Sequence, residues 1–464
     1  MGTGLNNTAI DFNSSLADLE RILYQKAMEW ARDTYRRILE CVDDHIKKAR
    51  DKSLAIIRQD KVWITTKPGA VNVKRRYYRD RDATYHYLLD ELLGIGKYHH
   101  ITRHVQKLAL DMAGVMPFRR SAEIPAKAIP LNLSHQTIHR IVARVADIHL
   151  EKQDSLLEWF QRNGELPDSK NLVSERMVVE ADGIMLSLQR EKTGKTEAKL
   201  GIAYEGRKKS GNNRFITVNK SVYADVISGD SFWPAMTLKL SRRYDLSGTN
   251  YMLLGGDGAS WIREGAEYFG ADYRLCRFHL NRNLSRALGH DRDTLKAIKE
   301  ALHQENLPAL FTLLDKAGGL ATGDVRKDIV KLSGYLKSNF SGLKTHPEMD
   351  NAGLNTGVIE GNIDKFIARR MKNQGMSRSI QGIRRMLWLR IALYDNKLND
   401  YLYTETDKPE SYKLPPKSIR RIIDKHLEQD YTQYFKARVP ALTGPHASRP
   451  WAEYLKSITR DTMI

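Results

Sequence analysis

Apolar positions recur at helical spacing over residues 10–60, where Leu16, Leu19, Leu23, Met28, Trp30, Tyr35, Ile38, Val42 and Ile46 alternate with charged residues. The pattern predicts an amphipathic helix, either docked on the body or paired in a dimerising coil whose seam the aromatic and small residues interrupt. The period then drops to two. Lys61-Val-Trp-Ile-Thr-Thr and Val71-Asn-Val-Lys-Arg-Arg-Tyr-Tyr-Arg flank Pro68-Gly69, which predicts a small basic hairpin over 61–82. Helical spacing returns from about 83 to 160. There Ser134 stands as an N-cap before a stripe of Ile138, Ile141, Val142 and Val145, with His135, Gln136, His139, Arg140 and Arg144 on the other face. A helix near 105–113 and a tight turn in 122–133 would complete a helix-turn-helix, with Arg140 and Arg144 turned to DNA. Any two packed helices with a polar face give the same outline.

From about 172 the pattern changes to strand-like runs: Met177-Val-Val-Glu-Ala-Asp-Gly-Ile-Met-Leu-Ser-Leu, Ala198-Lys-Leu-Gly-Ile-Ala-Tyr and Phe215-Ile-Thr-Val. A helix over 231–244, a buried strand over 250–255, a helix over 259–269 and a strand over 273–278 follow. Three meandering strands and then alternating helix and strand predict an α/β layer. Residues 280–350 are mostly helical, and 357–400 form a long basic helical region. The domains expected are 1–60 (amphipathic helix, oligomerisation), 61–165 (hairpin and helices, binding DNA ends), 172–284 (first part of an α/β core), 285–350 (helical insertion), 351–404 (basic helical region) and 405–464 (C-terminal tail).

Composition narrows the partner. The 464 residues carry 75 Lys+Arg against 56 Asp+Glu, a formal charge of +19, which favours a polyanion such as double-stranded DNA. A membrane is the competing polyanion, but no apolar run approaches the roughly 18 residues a spanning helix needs, and the N-terminus reads as neither signal peptide nor lipidation site. A cytoplasmic location is therefore expected, at the nucleoid when DNA is bound. Two cysteines, Cys41 and Cys276, exclude a disulfide framework and a four-cysteine zinc site. Thr193-Gly-Lys-Thr imitates the end of a phosphate-binding loop, but the required earlier glycine would fall at Gln189, so no nucleoside triphosphate is expected.

Three acidic residues carry the candidate chemistry. Asp182 interrupts an apolar strand, Asp257 follows Tyr251-Met-Leu-Leu where a buried strand gives way to a helix, and Glu360 lies near the start of the last helical block. Carboxylates in such surroundings need a neutralising cation, and three of them can hold two Mg²⁺, for which Mn²⁺ substitutes. Asp182-Gly183 and Asp257-Gly258 also fit a hairpin turn; the helical spacing after Gly258 argues against that at the second pair, and at the first it stays open. Cys276-Arg-Phe-His279 is either half of a zinc site or a buried cysteine beside a satisfied histidine. Downstream, Lys365, Arg369, Arg370, Lys372 and Arg378 make a one-sided basic stretch, suited to gripping a DNA backbone.

These stretches resemble a known family. Glu180-Ala-Asp-Gly, Gly255-Gly-Asp-Gly-Ala-Ser-Trp-Ile, Cys276-Arg-Phe-His and Gly357-Val-Ile-Glu-Gly-Asn-Ile-Asp-Lys are similar to bacterial insertion-sequence DDE transposases, often catalogued as uncharacterised transposase-like proteins. Arg76-Tyr-Tyr-Arg, Leu88-Leu-Asp-Glu-Leu-Leu-Gly and Ala368-Arg-Arg-Met-Lys-Asn-Gln-Gly-Met-Ser extend the likeness over roughly 70–400. More distantly the order resembles mutator-type transposases, which carry a Cys-x-x-His after the second aspartate. The resemblance implies an α/β, ribonuclease H-like core with a helical insertion before the glutamate. It further implies Asp182, Asp257 and Glu360 as the catalytic, metal-binding triad, and supporting roles for Cys276 and His279. Separations of 75 and 103 residues leave room for the insertion at 285–350. The expected activity is metal-dependent cleavage at transposon terminal inverted repeats and strand transfer into target DNA by a homodimer or larger assembly. The alternatives are an inactive transposase-derived DNA-binding protein and a structure-specific nuclease on the same fold.

Overall fold

The computed structural model describes residues 16–94, 100–166, 172–212, 214–344, 356–372 and 375–402, with 420, 421, 424 and 448. The expected C-terminal tail lies almost wholly outside the described residues. Contacts divide the chain into two units: 1–105, 128–131 and 405–464 form one, and 106–127 with 132–404 the other.

In the first unit, α1 (Leu16–Ala49) is shorter than the periodicity suggests. It ends before Asp51, whose carboxylate accepts the Ser53 N–H at 2.8 Å in a turn that competes with the helix. The β-branched Ile56 and Ile57 then open β1 (Ala55–Thr66), which pairs antiparallel with β2 (Gly69–Arg79) across Lys67-Pro68. Gly69 sits at φ +121°, open to a glycine alone. The short β3 (Tyr85–His86) completes the sheet, and α2 (Leu88–Leu93) follows. Alternate residues Val62, Ile64, Val71 and Val73 bury against Val42 and Ile46 of α1. Arg76 fixes the docking, reaching Asp43 and Asp44 at 2.6 Å each.

Three helices lead towards the main sheet: α3 (Arg103–Val115), α4 (Phe118–Ala128) and α5 (His135–Asn163). Here the structure corrects the sequence. The expected tight turn at 122–133 is largely α4, and α5 runs on for 29 residues. The Ser134 hydroxyl accepts the Thr137 N–H at 3.0 Å, the cap the sequence suggests. Ile138, Ile141, Val142 and Val145 are buried as the stripe requires.

The second unit is built on five strands. After β4 (Leu172–Val173) come β5 (Arg176–Ser187) and β6 (Lys195–Tyr204), then the ribbon β7 (Gly206–Gly211) and β8 (Arg214–Val218), then β9 (Ser221–Asp225). α6 (Gly229–Ser241), β10 (Tyr244–Asp245), β11 (Tyr251–Gly256), α7 (Ser260–Phe269) and β12 (Asp272–Leu275) complete the layer. The spatial order is β12-β11-β5-β6-β9. β5, β6 and β9 pair antiparallel, while β11 lies parallel to β5 and to β12. The third strand of the meander is therefore β9, not the run at Phe215, which pairs only in the β7–β8 ribbon. β9 is buried at every position and too short to show alternation, so periodicity passes over it.

Met177, Val179 and Ala181 of β5 enter a core with Phe232, Trp233, Trp261 and Ile262. Strand alternation turns Glu180 and Asp182 to the opposite face. β12 ends at Leu275, earlier than expected, and four helices follow it: α8 (Arg277–Leu288), α9 (Arg292–His303), α10 (Leu307–Leu320) and α11 (Gly323–Ser338). The last block is not one helix. It is an α-turn at Ile359–Ile363, a π-helical stretch at Asp364–Ala368, a short turn at Arg369–Met371 and a helix at Ile380–Tyr394. Between the last two, Arg378 bridges to Leu188 beside the sheet.

Candidate active site

Asp182 sits inside β5, paired with Leu200, and the strand runs on to Ser187, so no hairpin turns at Asp182-Gly183. Its carboxylate is buried and accepts the Gly183 N–H at 2.7 Å. Asp257 leaves the end of the parallel strand β11, where its Oδ1 accepts the Ala259 N–H at 2.9 Å at the entry to α7. Gly258 turns the chain at φ +101°, and a Cβ there would meet Tyr335 and Asn339 at 2.8 Å. The hydroxyl of Tyr335, on α11, donates to the Asp257 carbonyl at 2.7 Å.

The strand order brings these acids together: β5 and β11 are neighbours, although 75 residues separate the two aspartates. One ligand atom each of Asp182, Asp257 and His279 lies within 4.8 Å of the others. Glu360 joins through His279, whose Nε2 is 3.1 Å from Glu360 Oε1. Neither that oxygen nor His279 Nδ1 has a hydrogen-bond partner among the described residues, though both are buried. Burial first, then the neighbouring charges of Asp257 and Glu360, push the Asp182 carboxyl up to about 7. Burial holds the His279 imidazole below its ordinary value, against the pull of Glu360 and Asp257. Arg282, one turn further along α8, opposes the crowding of Asp182.

Cys276 is the buried N-cap of α8, not a strand residue, and burial raises its thiol. Its N–H donates to the Gly256 carbonyl at 2.7 Å, which ties the start of α8 to the strand end that precedes Asp257. Cys41 belongs to the other unit, and no metal cluster among the described residues includes a cysteine.

Glu360 is held by a residue to which sequence reasoning gave no role. Glu180, two residues before Asp182, is 1% exposed and takes the N–H of Gly357 at 2.7 Å, Val358 at 3.2 Å and Ile359 at 3.4 Å. These are orphan donors at a helix start, and a carboxylate is their natural partner. Tyr204 donates its hydroxyl to Glu180 at 2.5 Å. The available signal was the spacing: in a strand, Glu180-Ala-Asp182 puts both acids on one face. Lys220 adds a second tie, donating to Asn362 Oδ1 at 2.7 Å.

The basic residues divide. Lys365, Arg369 and Lys372 are exposed, Arg369 in an ion pair with Asp364 at 2.6 Å. Arg370 is instead 3% exposed; its Nε donates to the Ala113 carbonyl at 3.0 Å, at the C-terminal end of α3, where a cation is favourable. Arg378 is folded against it, donating to the Arg370 carbonyl at 3.4 Å. Arg140 is exposed on α5, whereas Arg144 donates to Gln106 Oε1 at 2.6 Å. Arg370, Arg378 and Arg144 are thus hydrogen-bonded within the unit, whereas Arg140, Lys365, Arg369 and Lys372 are exposed. Thr193-Gly194 lie in the turn between β5 and β6, and Lys195-Thr196 open β6, so a strand follows the motif where a phosphate-binding loop would be followed by a helix.

Residues 11–402 match the family described as "Uncharacterised protein family (UPF0236)". The chain belongs to that family. A UPF0236 protein of Caldanaerobacter subterraneus subsp. tengcongensis is 26% identical over 408 residues, covering 84% of this chain and 81% of its own, and its name joins eleven locus designations. A UPF0236 protein in the vanSb 3′ region of Streptococcus gallolyticus is 24% identical over 388 residues, covering 81% and 82%. Among solved structures, a chain of the Drosophila P element transposase strand transfer complex aligns with 71% of this UPF0236 chain and 85% of its own, at 12% identity and a TM-score of 0.23. No helix among the described residues is long and apolar enough to cross a membrane.

Proposed function

We propose that this UPF0236 protein is a DDE-type DNA transposase built on a ribonuclease H-like core. The observation that carries the reading is the convergence of Asp182, Asp257 and the His279–Glu360 pair from two adjacent strands and two helices. The strand order β12-β11-β5-β6-β9, three antiparallel strands followed by two parallel ones, supports the core assignment, and α8–α11 fit an insertion before the glutamate. Many loci for one relative is what a mobile element leaves in a genome.

The donor set fits a divalent cation. Asp182 and Asp257 offer hard oxygens, the acids crowding Asp182 outweigh the opposing charge of Arg282, and the buried Glu360 Oε1 has only the His279 imidazole beside it. Asp182, Asp257 and Glu360 would hold two Mg²⁺ or Mn²⁺; bound there, such ions stabilise the attacking and leaving oxygens of a phosphoryl displacement. The chain's own work is positional. β5 and β11 fix the aspartates, Glu180 fixes the helix of Glu360, and His279 orients the Glu360 carboxylate. In cutting, water displaces the 3′-oxygen from phosphorus and leaves a free 3′-hydroxyl; the same groups then set that hydroxyl against a target phosphodiester, where it would displace the target's 3′-oxygen, one P–O bond formed for each one broken. Two DNA ends must meet, so the working form is a dimer or larger assembly on double-stranded DNA.

The test is strand cleavage and joining on DNA taken from the flanks of the coding sequence, with Mg²⁺. Wild type should cut at the element end, and Asp257→Ala should not. Undiminished cutting by Asp257→Ala would remove the mechanism; cutting without joining would favour the nuclease reading.

A further inference from the structure

Beside the acidic group, on the far side of α8, lies a cavity of about 230 Å³. Arg274 from β12, Arg277 from α8, Lys299 and His303 from α9 and Lys344 after the insertion all line it. No Asp or Glu is among its described lining residues. Arg277, Lys299 and Lys344, three exposed permanent cations around one hollow, repel each other, and an anion placed among them relieves that cost. The remaining lining includes four leucines, so the hollow also offers an apolar wall. Cations beside an apolar wall match a nucleotide, which joins a charged phosphate to a flat, weakly polar base.

The position on α8 gives the second argument. Arg277 and Asn281 line the cavity, while His279 points to the acidic group, because residues two apart on a helix face nearly opposite ways. One helix thus separates the two places, a distance on the order of 10–12 Å. Successive phosphates of one strand are spaced roughly 3.4 Å along a duplex axis, so a few nucleotides span it.

We infer that this cavity binds a nucleotide of the DNA strand a few positions from the phosphodiester held at the acidic group. The inference rests on the transposase reading for what brings DNA there, and on the cavity itself for how it is held. Its phosphate lies among Arg277, Lys299 and Lys344, and its base or sugar lies on the leucines.

The experiment is fluorescence anisotropy of the full chain with a labelled single-stranded oligodeoxynucleotide, in EDTA, over a range of NaCl concentrations. Lys299→Glu/Lys344→Glu is the informative variant, since both side chains are exposed and the change leaves the core alone. It should weaken binding at least tenfold and lower the salt slope by about 0.7 units, the share of one phosphate on a single strand. Lys296→Glu, an exposed residue of α9 that does not line the cavity, makes a charge reversal nearby and should leave binding within twofold of wild type. Unchanged binding in the double variant overturns the inference, and so does an equal loss in Lys296→Glu, which would mean diffuse attraction. Because the titration needs no divalent ion, its failure removes the cavity alone, and the acidic site is judged separately by cleavage.

Discussion

The Glu180 carboxylate accepts the Gly357 N–H at 2.7 Å, across 177 residues of sequence. Glu180 is two residues from Asp182, and Gly357 three from Glu360, so one buried contact sets the register between the strand of the first acid and the helix of the last. The placing of the acidic group therefore depends on a residue outside that group.

Replacing Glu180 should show this. Glu180→Ala leaves the N–H groups at 357–359 without their acceptor and removes a partner from Tyr204, which should cost about 2–4 kcal/mol in urea unfolding. Glu180→Gln keeps one acceptor oxygen and should cost about 1 kcal/mol. Cleavage should fall in the same order, with a larger loss in kcat than in KM. An alanine variant as stable as wild type would dismiss the clamp.

Divalent ions should stabilise the fold through the acidic group. Mn²⁺ at a hundred times its dissociation constant adds about 2.7 kcal/mol to a one-site protein. Thermal melts should record that gain in wild type and lose it in Asp182→Ala and Asp257→Ala. His279→Ala should retain binding with affinity reduced about 10–100-fold, the usual effect of losing a group that orients a ligand. Equal Mn²⁺ responses in all four proteins would contradict the donor set.

The metal-free protein should carry a pH signature. Asp182 keeps its proton in the folded chain up to about pH 7, whereas the unfolded chain releases it near the ordinary carboxylate value of 3.8. Between those limits the folded state binds the extra proton, so this group's contribution to stability falls as pH rises and is fully lost above about 7. Melts in EDTA from pH 5 to 8 should decline more steeply for wild type than for Asp182→Asn, and Mn²⁺ should remove the difference at pH 8. A steeper decline in the asparagine variant would reverse the assignment.

The basic stretch should split into two behaviours. Arg370→Ala withdraws a buried donor from the end of α3 and should destabilise by about 1–3 kcal/mol, with no change in the salt slope of DNA binding. Lys365→Ala and Lys372→Ala, both exposed, should each lower that slope by about one unit and leave stability within about 0.5 kcal/mol. A slope change in Arg370→Ala alone would mean that the buried arginine is drawn out to DNA.

Periodicity reached the elements whose pattern is local. The hairpin around Pro68-Gly69, the Ser134 cap and the buried strand before Asp257 each show within a few residues, because turn chemistry, capping and apolar runs act at that range. It missed β9, whose partner is a strand rather than its neighbours in sequence, and it took Phe215–Val218 for a member of the main sheet. Asp182, Asp257 and Glu360 could be named from flanking motifs, yet nothing local says that β11 inserts beside β5. Glu180 went unread for the same reason: its partners are backbone groups at 357–359. The burial of the basic residues was not legible either, because charge on a helical wheel does not distinguish Lys372, in solvent, from Arg370, which closes another helix.

Both ends of the α8–α11 segment are fastened where β11 closes, one to Gly256 and the other to Asp257. α8 begins at Cys276, bonded to the Gly256 carbonyl, and α11 sends Tyr335 to the carbonyl of Asp257 itself. The four helices between these anchors are thus pinned at both ends beside the acid that follows β11, so that whatever displaces α8 or α11 bears first on the backbone at Gly256 and Asp257.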